Sequence, residues 1–388
     1  MTQQFDLNQP IYQAGQSAMS MGNLLAYFVD PNYQRGNLSR ISDMHVKVGR
    51  PVSFRIDDDL TTVPEGADVT DEVIRYMLGI ILNEKHRETL ASDEPRDIDS
   101  GYEWVDGGVN FRLNVFRDRD GLAFVMRVLS SIIPDIETLG LPSEQIWRDI
   151  TSLKRGLVLV TGVTGSGKST TIAALINHVN RFRQTRIITL EDPVEFIFKS
   201  ERSMVSQRQI GQNVATFSGG LRSALRENPD VIFVGEIRDQ ETATLALSAA
   251  ETGHLVFSTL HTRDAKGALS RIVDMFPAEQ TKSLCLQLSF SLSSVLSQKL
   301  VPRADGSGRI LVMEVLKNVP AIGNLIRTGN WQQVYSTMET QQKEGMMTME
   351  QHLEHLYKHG IISKEDAITY ANEASLIERI AKLETEAK

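Results

Sequence analysis

The chain has 388 residues, of which 41% are hydrophobic and 23% charged, with a formal net charge of −8. This balance is typical of a globular protein with two or three domains, and it argues against a protein built mainly to bind nucleic acid. A single cysteine, Cys285, excludes an internal disulfide framework and a zinc site made of several cysteines. No apolar run approaches the roughly 20 residues that span a bilayer, and the N-terminus lacks a signal-peptide pattern. We therefore expect a cytoplasmic protein without a membrane span, in which Cys285 is a buried thiol.

The N-terminal third predicts an α+β domain over residues 36–130, preceded by a loosely ordered lead-in over 1–35. Two alternating runs flank a Gly-Arg-Pro turn within 44–56, which indicates a hairpin. Thr70 is placed to cap a helix over 71–89. Further strands are predicted over 109–116 and 122–128, and the first of these alternates apolar with polar residues, so the sheet has one polar face.

Residues 131–155 contain Pro134, Gly140 and Pro142 and a short helix near 143–153, which is typical of an interdomain connection. From 156 to 388 the pattern changes to strands that alternate with helices, which predicts an α/β fold with a mainly parallel sheet covered on both faces. The predicted strands are 157–161, 185–190, 230–234 and 254–259, and the helices are 169–182, 217–227, 240–252 and 264–274. A hairpin over 296–316 follows, and the chain is helical after 318.

The segment GLVLVTGVTGSGKST (156–170) combines a buried strand, a glycine-rich turn and a helix start, and it fits the phosphate-binding loop G-x-x-x-x-G-K-[ST]. In such a loop, main-chain N–H groups surround phosphate oxygens, a lysine reaches the β- and γ-phosphates, and a hydroxyl reaches Mg²⁺. Lys168 and Ser169 take the last two roles. The predicted nucleotide-binding residues are Gly162, Thr164, Gly165, Ser166, Gly167, Lys168, Ser169 and Thr170.

Carboxylates follow two of the predicted strands, where hydrolysis needs a metal ligand and a group that orients water. Glu191 lies in TLEDPVE (189–195) and is a candidate magnesium ligand, although a solvated acidic turn is an equal alternative. Glu236 follows Val231–Val234, and Gly235 stands where an aspartate is usual at such a strand end. Glu236 is therefore our first candidate for polarising water; the alternative is an ordinary helix-start carboxylate.

Histidines and arginines add weaker candidates. His261, at the far end of the strand in GHLVFSTLHT (253–262), is expected to sense the γ-phosphate, whereas His254 is expected to be structural. The three histidines at 352, 355 and 359 are interpreted as part of a solvated helix, without a metal site. Arg112 and Arg127 lie on strands of the first domain and are candidate arginine fingers, with surface ion pairs as the alternative.

Four stretches in order, GVTGSGKST, TLEDPVE, LRENPDVIFVGEIRD and GHLVFSTLHT, resemble the motifs of the secretion-type hexameric ATPases of type II secretion and type IV pili. The segment from Ser42 resembles the start of that family's PAS-like N-terminal domain. The tail resembles the pilus-retraction ATPases of the PilT and PilU kind, although Gly323 replaces the arginine of their AIRNLIR motif. The ending SLIERIAKLETEAK (375–388) looks more like PilU.

The resemblance implies a RecA-like ATPase core with a PAS-like N-terminal domain, a homohexamer, and ATP with Mg²⁺ at the junction of the two domains. It also implies that Arg112 contacts nucleotide, with Arg127 a weaker candidate. The predicted function is an ATPase motor that retracts a type IV pilus from the cytoplasmic side of the inner membrane. Its partners would be the pilus platform protein and a second retraction ATPase. The alternatives are an ATPase for type II or type IV secretion and an accessory ring that acts as an adaptor; a nucleic-acid motor is the weakest.

Overall fold

The structure, a computed structural model, describes residues 5–35, 38–57, 59–92, 97–129, 132–374, 377 and 379–380. The chain divides into two compact units, each described here by itself. Unit 1 is Met1–Ile132 together with Glu195–Ile197, and unit 2 is Ile133–Val194 together with Phe198–Lys388. None of the helices in the described ranges is long and apolar enough to cross a membrane.

The strands of unit 1 are β1 (Pro10–Ala14), β2 (Ser17–Ser20), β3 (Gln34–Arg35), β4 (Leu38–Ser39), β5 (Ile41–Lys47), β6 (Ser53–Ile56), β7 (Asp59–Thr62), β8 (Ile98–Trp104), β9 (Val109–Asp118) and β10 (Gly121–Leu129). The last six of these strands form an antiparallel sheet with strand order β7-β6-β5-β10-β9-β8. The helices of unit 1 are α1 (Met21–Ala26), α2 (Asp71–Ile81) and α3 (Glu84–Ala91). The predicted hairpin over 44–56 is confirmed by the antiparallel pairing of β5 with β6.

Residues 5–35 differ from the predicted loosely ordered lead-in. Residues 10–20 form the antiparallel hairpin of β1 and β2, and a capping box between Ser20 and Asn23 begins α1. Tyr12, Leu24 and Phe28 are buried in the core of unit 1, and the Tyr12 hydroxyl accepts a hydrogen bond from the Val52 N–H at 3.1 Å. The prediction was wrong because isolated apolar residues in a polar segment show no period, yet several of them fill the core of unit 1.

The single helix predicted over 71–89 is in fact two helices. Thr70 caps α2 as predicted, but Leu82 is buried in an extended conformation. Asn83 then accepts a hydrogen bond from the His86 N–H at 2.9 Å and caps α3. An asparagine favours a new helix start over the interior of a helix, since its side chain competes for main-chain groups.

The strands of unit 2 are β11 (Gly156–Thr161), β12 (Arg186–Glu191), β13 (Met204–Gln209), β14 (Val231–Val234), β15 (Leu255–Leu260), β16 (Leu292–Pro302) and β17 (Arg309–Lys317). They form one seven-stranded sheet with strand order β13-β12-β14-β15-β11-β16-β17. The helices are α4 (Glu144–Ser152), α5 (Lys168–Phe182), α6 (Phe217–Ala224), α7 (Gln240–Glu251), α8 (Ala265–Val273), α9 (Thr281–Ser291), α10 (Pro320–Thr328), α11 (Val334–Thr340), α12 (Met349–Lys358) and α13 (Lys364–Tyr370).

All pairings in this sheet are parallel except that of β17 with β16. Buried clusters cover both faces, and every residue of β11 is buried, which confirms the predicted parallel-sheet α/β fold. Sequence reasoning missed β13, whose residues are mostly polar, and α9. Cys285 lies on α9 and is buried as expected; burial also raises the pKa of its thiol.

The region predicted as an interdomain connection, 131–155, also differs. From Ile133 onward it belongs to unit 2, where Ile146, Trp147 and Ile150 of α4 pack in the same core cluster as β11 and α5. The Arg183 guanidinium donates to the carbonyls of Thr151 and Leu153 at 2.9 and 2.7 Å. Pro134, Gly140 and Pro142, which suggested a linker, instead lie beside the short helical elements of this part of unit 2.

Candidate nucleotide site at the carboxyl edge of the parallel sheet

The glycine-rich loop connects β11 with α5 and is shaped by two glycines that no other residue could replace without strain. Gly162 has a φ of +149°, and a Cβ there would lie 2.4 Å from the Ser166 hydroxyl oxygen. Gly167 has a φ of +86° and immediately precedes α5. The loop therefore turns back on itself just before a 15-residue helix, whose N-terminus favours an anion.

Lys168 lies beneath this loop and is buried. Its Nζ donates to the carbonyl oxygens of Gly162 and Val163 at 2.9 and 3.0 Å. Ser169 and Thr170 are half-buried in the first helical turn, and Thr164 and Gly165 are exposed at the tip. A cleft of about 560 Å³ beside the loop has the size of a small-molecule site. Its walls include Arg263, Lys299, Arg309 and residues 369–372.

The carboxyl ends of the neighbouring strands place Glu236 in a cluster of charged groups. Its carboxylate pairs with the Arg238 guanidinium, and its Oε2 lies 3.5 Å from the His261 Nε2. Arg238 also lies 3.6 Å from Asp192 Oδ2, on the segment after β12. Two sequence-predicted residues, Glu236 and His261, thus come together although 25 positions separate them.

Glu191 is not part of a solvated turn, because its side chain is buried at the end of β12. Its Oε1 accepts hydrogen bonds from the Thr189 hydroxyl at 2.6 Å and from the Gln207 amide at 3.1 Å. These donors fix the carboxylate at the same sheet edge at which β11 and β14 end. The solvated alternative is therefore wrong, and the metal-ligand role stays a prediction.

Gly235 is explained by the space around it. Its N–H donates to the Leu190 carbonyl at 2.7 Å, and its own carbonyl accepts from the Thr259 hydroxyl at 2.6 Å. A Cβ at this position would lie 3.2 Å from the Leu190 oxygen and 3.3 Å from the Phe217 ring. An aspartate would not fit without a shift of the main chain, so the carboxylate is carried by the next residue, Glu236.

The remaining histidines are structural or exposed. The Nδ1 of His254 lies 2.9 Å from the Ala249 carbonyl at the end of α7. His352 was wrongly interpreted as solvated: it is buried, its Nδ1 accepts from the Met313 N–H at 2.9 Å, and burial lowers its pKa to about 4. His355 and His359 are exposed. No group of three or more His, Cys, Asp or Glu side chains within the described ranges is arranged to hold a metal ion.

Arg112 and Arg127 both lie in unit 1, where they are direct cross-strand neighbours on β9 and β10. The Arg127 Nε donates to Asp43 Oδ1 at 2.7 Å, and Arg112 lies 3.9 Å from Asp99. Each arginine therefore has an acidic neighbour within its own unit, as the ion-pair alternative expects. Their roles as arginine fingers stay predictions.

Sequence reasoning missed two residues of the site. Arg238 lies in the GEIRD stretch (235–239), but nothing in the local sequence shows that it pairs with Glu236, two positions earlier. Gln298 is buried on β16, and its Nε2 donates to the Ser166 carbonyl at 2.7 Å, 132 positions away. Its one sequence signal is the polar pair Gln298 and Lys299, which does not stand out because β16 also contains three serines.

The residues present fit a nucleotide with its magnesium ion. The loop offers main-chain N–H groups and a buried lysine to phosphate oxygens, and the helix N-terminus adds a favourable dipole. The Ser169 hydroxyl and the carboxylates of Glu191 and Glu236 are hard oxygen donors, which Mg²⁺ prefers together with phosphate and water.

Comparison with known proteins agrees with a nucleotide-binding site. A family described as Type II/IV secretion system protein matches residues 37–369. The type IV pilus retraction ATPase PilT of Pseudomonas aeruginosa is 41% identical over 326 residues, which cover 84% of this chain and 93% of PilT. The type IV pilus ATPase PilU of the same organism is 35% identical over 345 residues, covering 89% of each.

A solved structure agrees with these relatives. The crystal structure of the pilus retraction motor PilT with bound ADP has a TM-score of 0.80 and 43% identity, covering 87% of this chain and 95% of that one. Both the family match and the similarity to PilT extend over most of the chain. The chain thus belongs to the type II/IV secretion system protein family and is an ATP-hydrolysing enzyme of the PilT and PilU kind.

Proposed function

We propose that this ATPase drives the retraction of a type IV pilus. The observation that carries the proposal is the 41% identity to PilT over 93% of that protein, which is named for pilus retraction. The phosphate loop and the Glu236 cluster supply the ATPase site that such a motor needs. Homohexameric assembly is part of the proposal, because a ring can couple successive ATP hydrolysis events to the movement of one fibre.

Glu236 is the proposed base that orients water. Its side chain is 14% exposed and is held between the Arg238 guanidinium and the His261 ring. These two partners fix the direction of the carboxylate, so that one oxygen can accept a proton from water near the γ-phosphate. Partial exposure leaves room for that water.

Phosphate binding is assigned to the loop and to the turn that begins α5. The Nζ of Lys168 would exchange its two loop carbonyl partners for phosphate oxygens, and the N–H groups of 164–170 would surround them. The Ser169 hydroxyl and the Glu191 carboxylate would hold Mg²⁺, which supplies positive charge beside the phosphates when it is bound. Arg112 and Arg127 would add positive charge during phosphoryl transfer.

The proposed location is the cytoplasmic face of the inner membrane, at the pilus machine. The proposed partners are the platform protein at the base of the fibre and a second retraction ATPase. Two other functions use the same site: an ATPase for type II or type IV secretion, and an accessory ring that acts as an adaptor. Gly323 favours the adaptor, since it departs from the arginine of the retraction motif.

A complementation experiment separates these functions. A host that lacks the gene is supplied with the wild-type chain, with Lys168→Ala, or with Lys282→Ala, which removes an exposed lysine of α9. Fibre retraction and surface motility are measured together with protein secretion. We expect the wild type and Lys282→Ala to restore retraction and Lys168→Ala to fail.

Each alternative gives a different result. Retraction restored by Lys168→Ala, with purified Lys168→Ala inactive toward ATP, would assign the chain to the adaptor class. A deletion that stops secretion but leaves retraction intact would contradict the pilus proposal. Sedimentation or native mass spectrometry of the purified chain with ATP tests the ring directly, and a monomer under all conditions would contradict it.

A further inference from the structure

Gln298 connects strand β16, the neighbour of β11 in the sheet, to the phosphate loop and has no role in the chemistry described above. Its side chain is 1% exposed, and β16 is held on both sides by β11 and β17. The Nε2 donates to the Ser166 carbonyl at 2.7 Å. A Cβ added to Gly167 would lie 3.2 Å from the same nitrogen, so the amide also packs against that glycine.

This contact fixes one peptide group of the loop. The peptide between Ser166 and Gly167 is planar and trans, so its C=O and its N–H point in opposite directions. When the Ser166 carbonyl is held toward β16, the Gly167 N–H must point away from β16. Within the described residues, that N–H has no hydrogen-bond acceptor. It is therefore a preoriented donor at the start of α5.

The surroundings make the orientation depend on Gln298. Gly167 has a left-handed φ, and Ser166 is buried with no hydrogen-bond partner for its hydroxyl. A glycine changes its main-chain angles at small cost, so the peptide could turn if its carbonyl were released. Gln298, on a strand buried in the sheet, is the fixed point.

We propose that Gln298 is a positioning residue for nucleotide binding: by holding the Ser166 carbonyl, it aims the Gly167 N–H at a bound phosphate. The inference rests on the phosphate-binding role proposed above for this loop. A hydrogen bond to a charged phosphate contributes more than one between neutral groups, so a misdirected donor weakens nucleotide binding about tenfold. The loss applies equally to ATP and ADP, since both present a phosphate to this position.

The test compares Gln298→Met with Asn180→Leu in the full-length protein. Asn180 is a second fully buried amide of unit 2, and its Nδ2 donates to the Lys199 carbonyl at 2.7 Å, far along α5 from the loop. Both changes remove a buried amide at similar side-chain size, so both are expected to lower thermal stability. For Gln298→Met alone, we expect the KM for ATP and the Kd for a fluorescent ADP analogue to rise about tenfold, with kcat within twofold.

Two results would overturn the proposal: a KM and Kd within twofold of wild type in Gln298→Met, or an equal rise in Asn180→Leu. If Gln298→Met does not fold, Gln298→Asn keeps the amide but shortens its reach, and the same comparison applies. Lys168→Ala separates this inference from the site assignment. If Lys168→Ala loses turnover while Gln298→Met keeps a normal KM, only the positioning role is wrong; if Lys168→Ala hydrolyses ATP normally, both are wrong.

Discussion

Unit 2 contains a half-buried acid at the strand edge and two fully buried acids beneath its C-terminal helices, and the partners of these acids differ. Glu236, at the strand edge, is 14% exposed and is paired with a guanidinium and an imidazole. Glu314 and Glu350, which we call the enclosed acids, are 2% and 0% exposed beneath the C-terminal helices. Glu350 accepts from the N–H groups of Asn372 and Glu373 at 2.8 and 2.9 Å and from the Tyr335 hydroxyl at 2.8 Å.

The partners determine what each acid can do. The Arg238 guanidinium and the His261 ring keep the Glu236 carboxylate oriented, while its exposure lets a reactant reach it. The enclosed acids accept hydrogen bonds from neutral donors and are almost fully buried, so they connect elements of the fold: Glu314 accepts from the Ala265 N–H at 2.7 Å and thereby holds the start of α8. We therefore expect changes at Glu236 to affect rate and changes at the enclosed acids to affect stability.

The largest expected effect is that of Glu236→Gln on catalysis. The amide keeps the size but cannot accept a proton from water, so kcat should fall at least about 100-fold. The free energy of unfolding should change by less than about 1 kcal/mol, since the side chain is not fully buried. Steady-state ATP hydrolysis and denaturant unfolding measure the two quantities, and Glu241→Gln, an exposed carboxylate on α7, is the matched control.

Glu350→Ala should have the opposite effect from Glu236→Gln: it should lower stability and leave ATP turnover nearly unchanged. It leaves two main-chain N–H groups and the Tyr335 hydroxyl without their acceptor, which should cost about 3 kcal/mol of unfolding free energy. The folded protein, assayed at low temperature, should keep its turnover within about threefold. Glu344→Ala, at an exposed position, provides the comparison. A stable Glu350→Ala that has lost turnover would break the distinction between the two kinds of acid.

Glu314 should make stability depend on pH. Burial, followed by the nearby charges of Asp264 and Glu350, raises the pKa of its carboxyl from 4.5 to about 8. The folded state then binds one more proton than the unfolded state between these values, so this group's contribution to stability falls as the pH rises from about 5 to 8. Relative to wild type, Glu314→Gln should gain up to about 1.4 kcal/mol per pH unit in this window.

Unfolding curves at pH 5.5, 6.5 and 7.5 check the sign as well as the size of this difference. The glutamine retains an acceptor for the Ala265 N–H, so the contact itself is preserved. A difference between Glu314→Gln and wild type that stays constant over this range would show that Glu314 is not protonated in the folded chain.

The smallest effect is expected from Gly323→Ala on α10. Alanine favours a helix by about 0.8 kcal/mol, but its Cβ would lie 3.2 Å from the Asn318 Oδ1. The two contributions oppose each other, so the free energy of unfolding should change by less than about 0.5 kcal/mol and ATP turnover should not change. A large loss of turnover would show that the C-terminal helices influence the ATPase site at the carboxyl edge of the parallel sheet.

The sequence predicted the features that rest on local chemistry. The phosphate loop and the following helix need particular residues at adjacent positions, so Lys168 and Ser169 could be predicted as nucleotide-binding residues without a structure. Glu236 was predictable because it follows a buried strand, and Gly235 because it breaks the usual pattern. The structure explains why a glycine replaces the usual aspartate: a Cβ on Gly235 would come close to the Leu190 oxygen and the Phe217 ring.

Features that depend on distant contacts were not predictable. Gln298 reaches a loop 132 positions earlier, and nothing in the segment around it indicates that register. The core residues of the first 35 positions and the packing of α4 were missed for the same reason, since burial there is decided by other elements. His352 was placed on a solvated face because helical spacing does not show that β17 covers it; the Met313 N–H donates to its ring.

The most direct test of the account measures ATP turnover and unfolding on the same samples of wild type, Glu236→Gln and Glu350→Ala. We predict that Glu236→Gln loses at least about 100-fold in kcat and keeps its stability, while Glu350→Ala keeps its turnover and loses stability. Wild-type turnover by Glu236→Gln would contradict the central claim that this strand-edge carboxylate activates water for ATP hydrolysis.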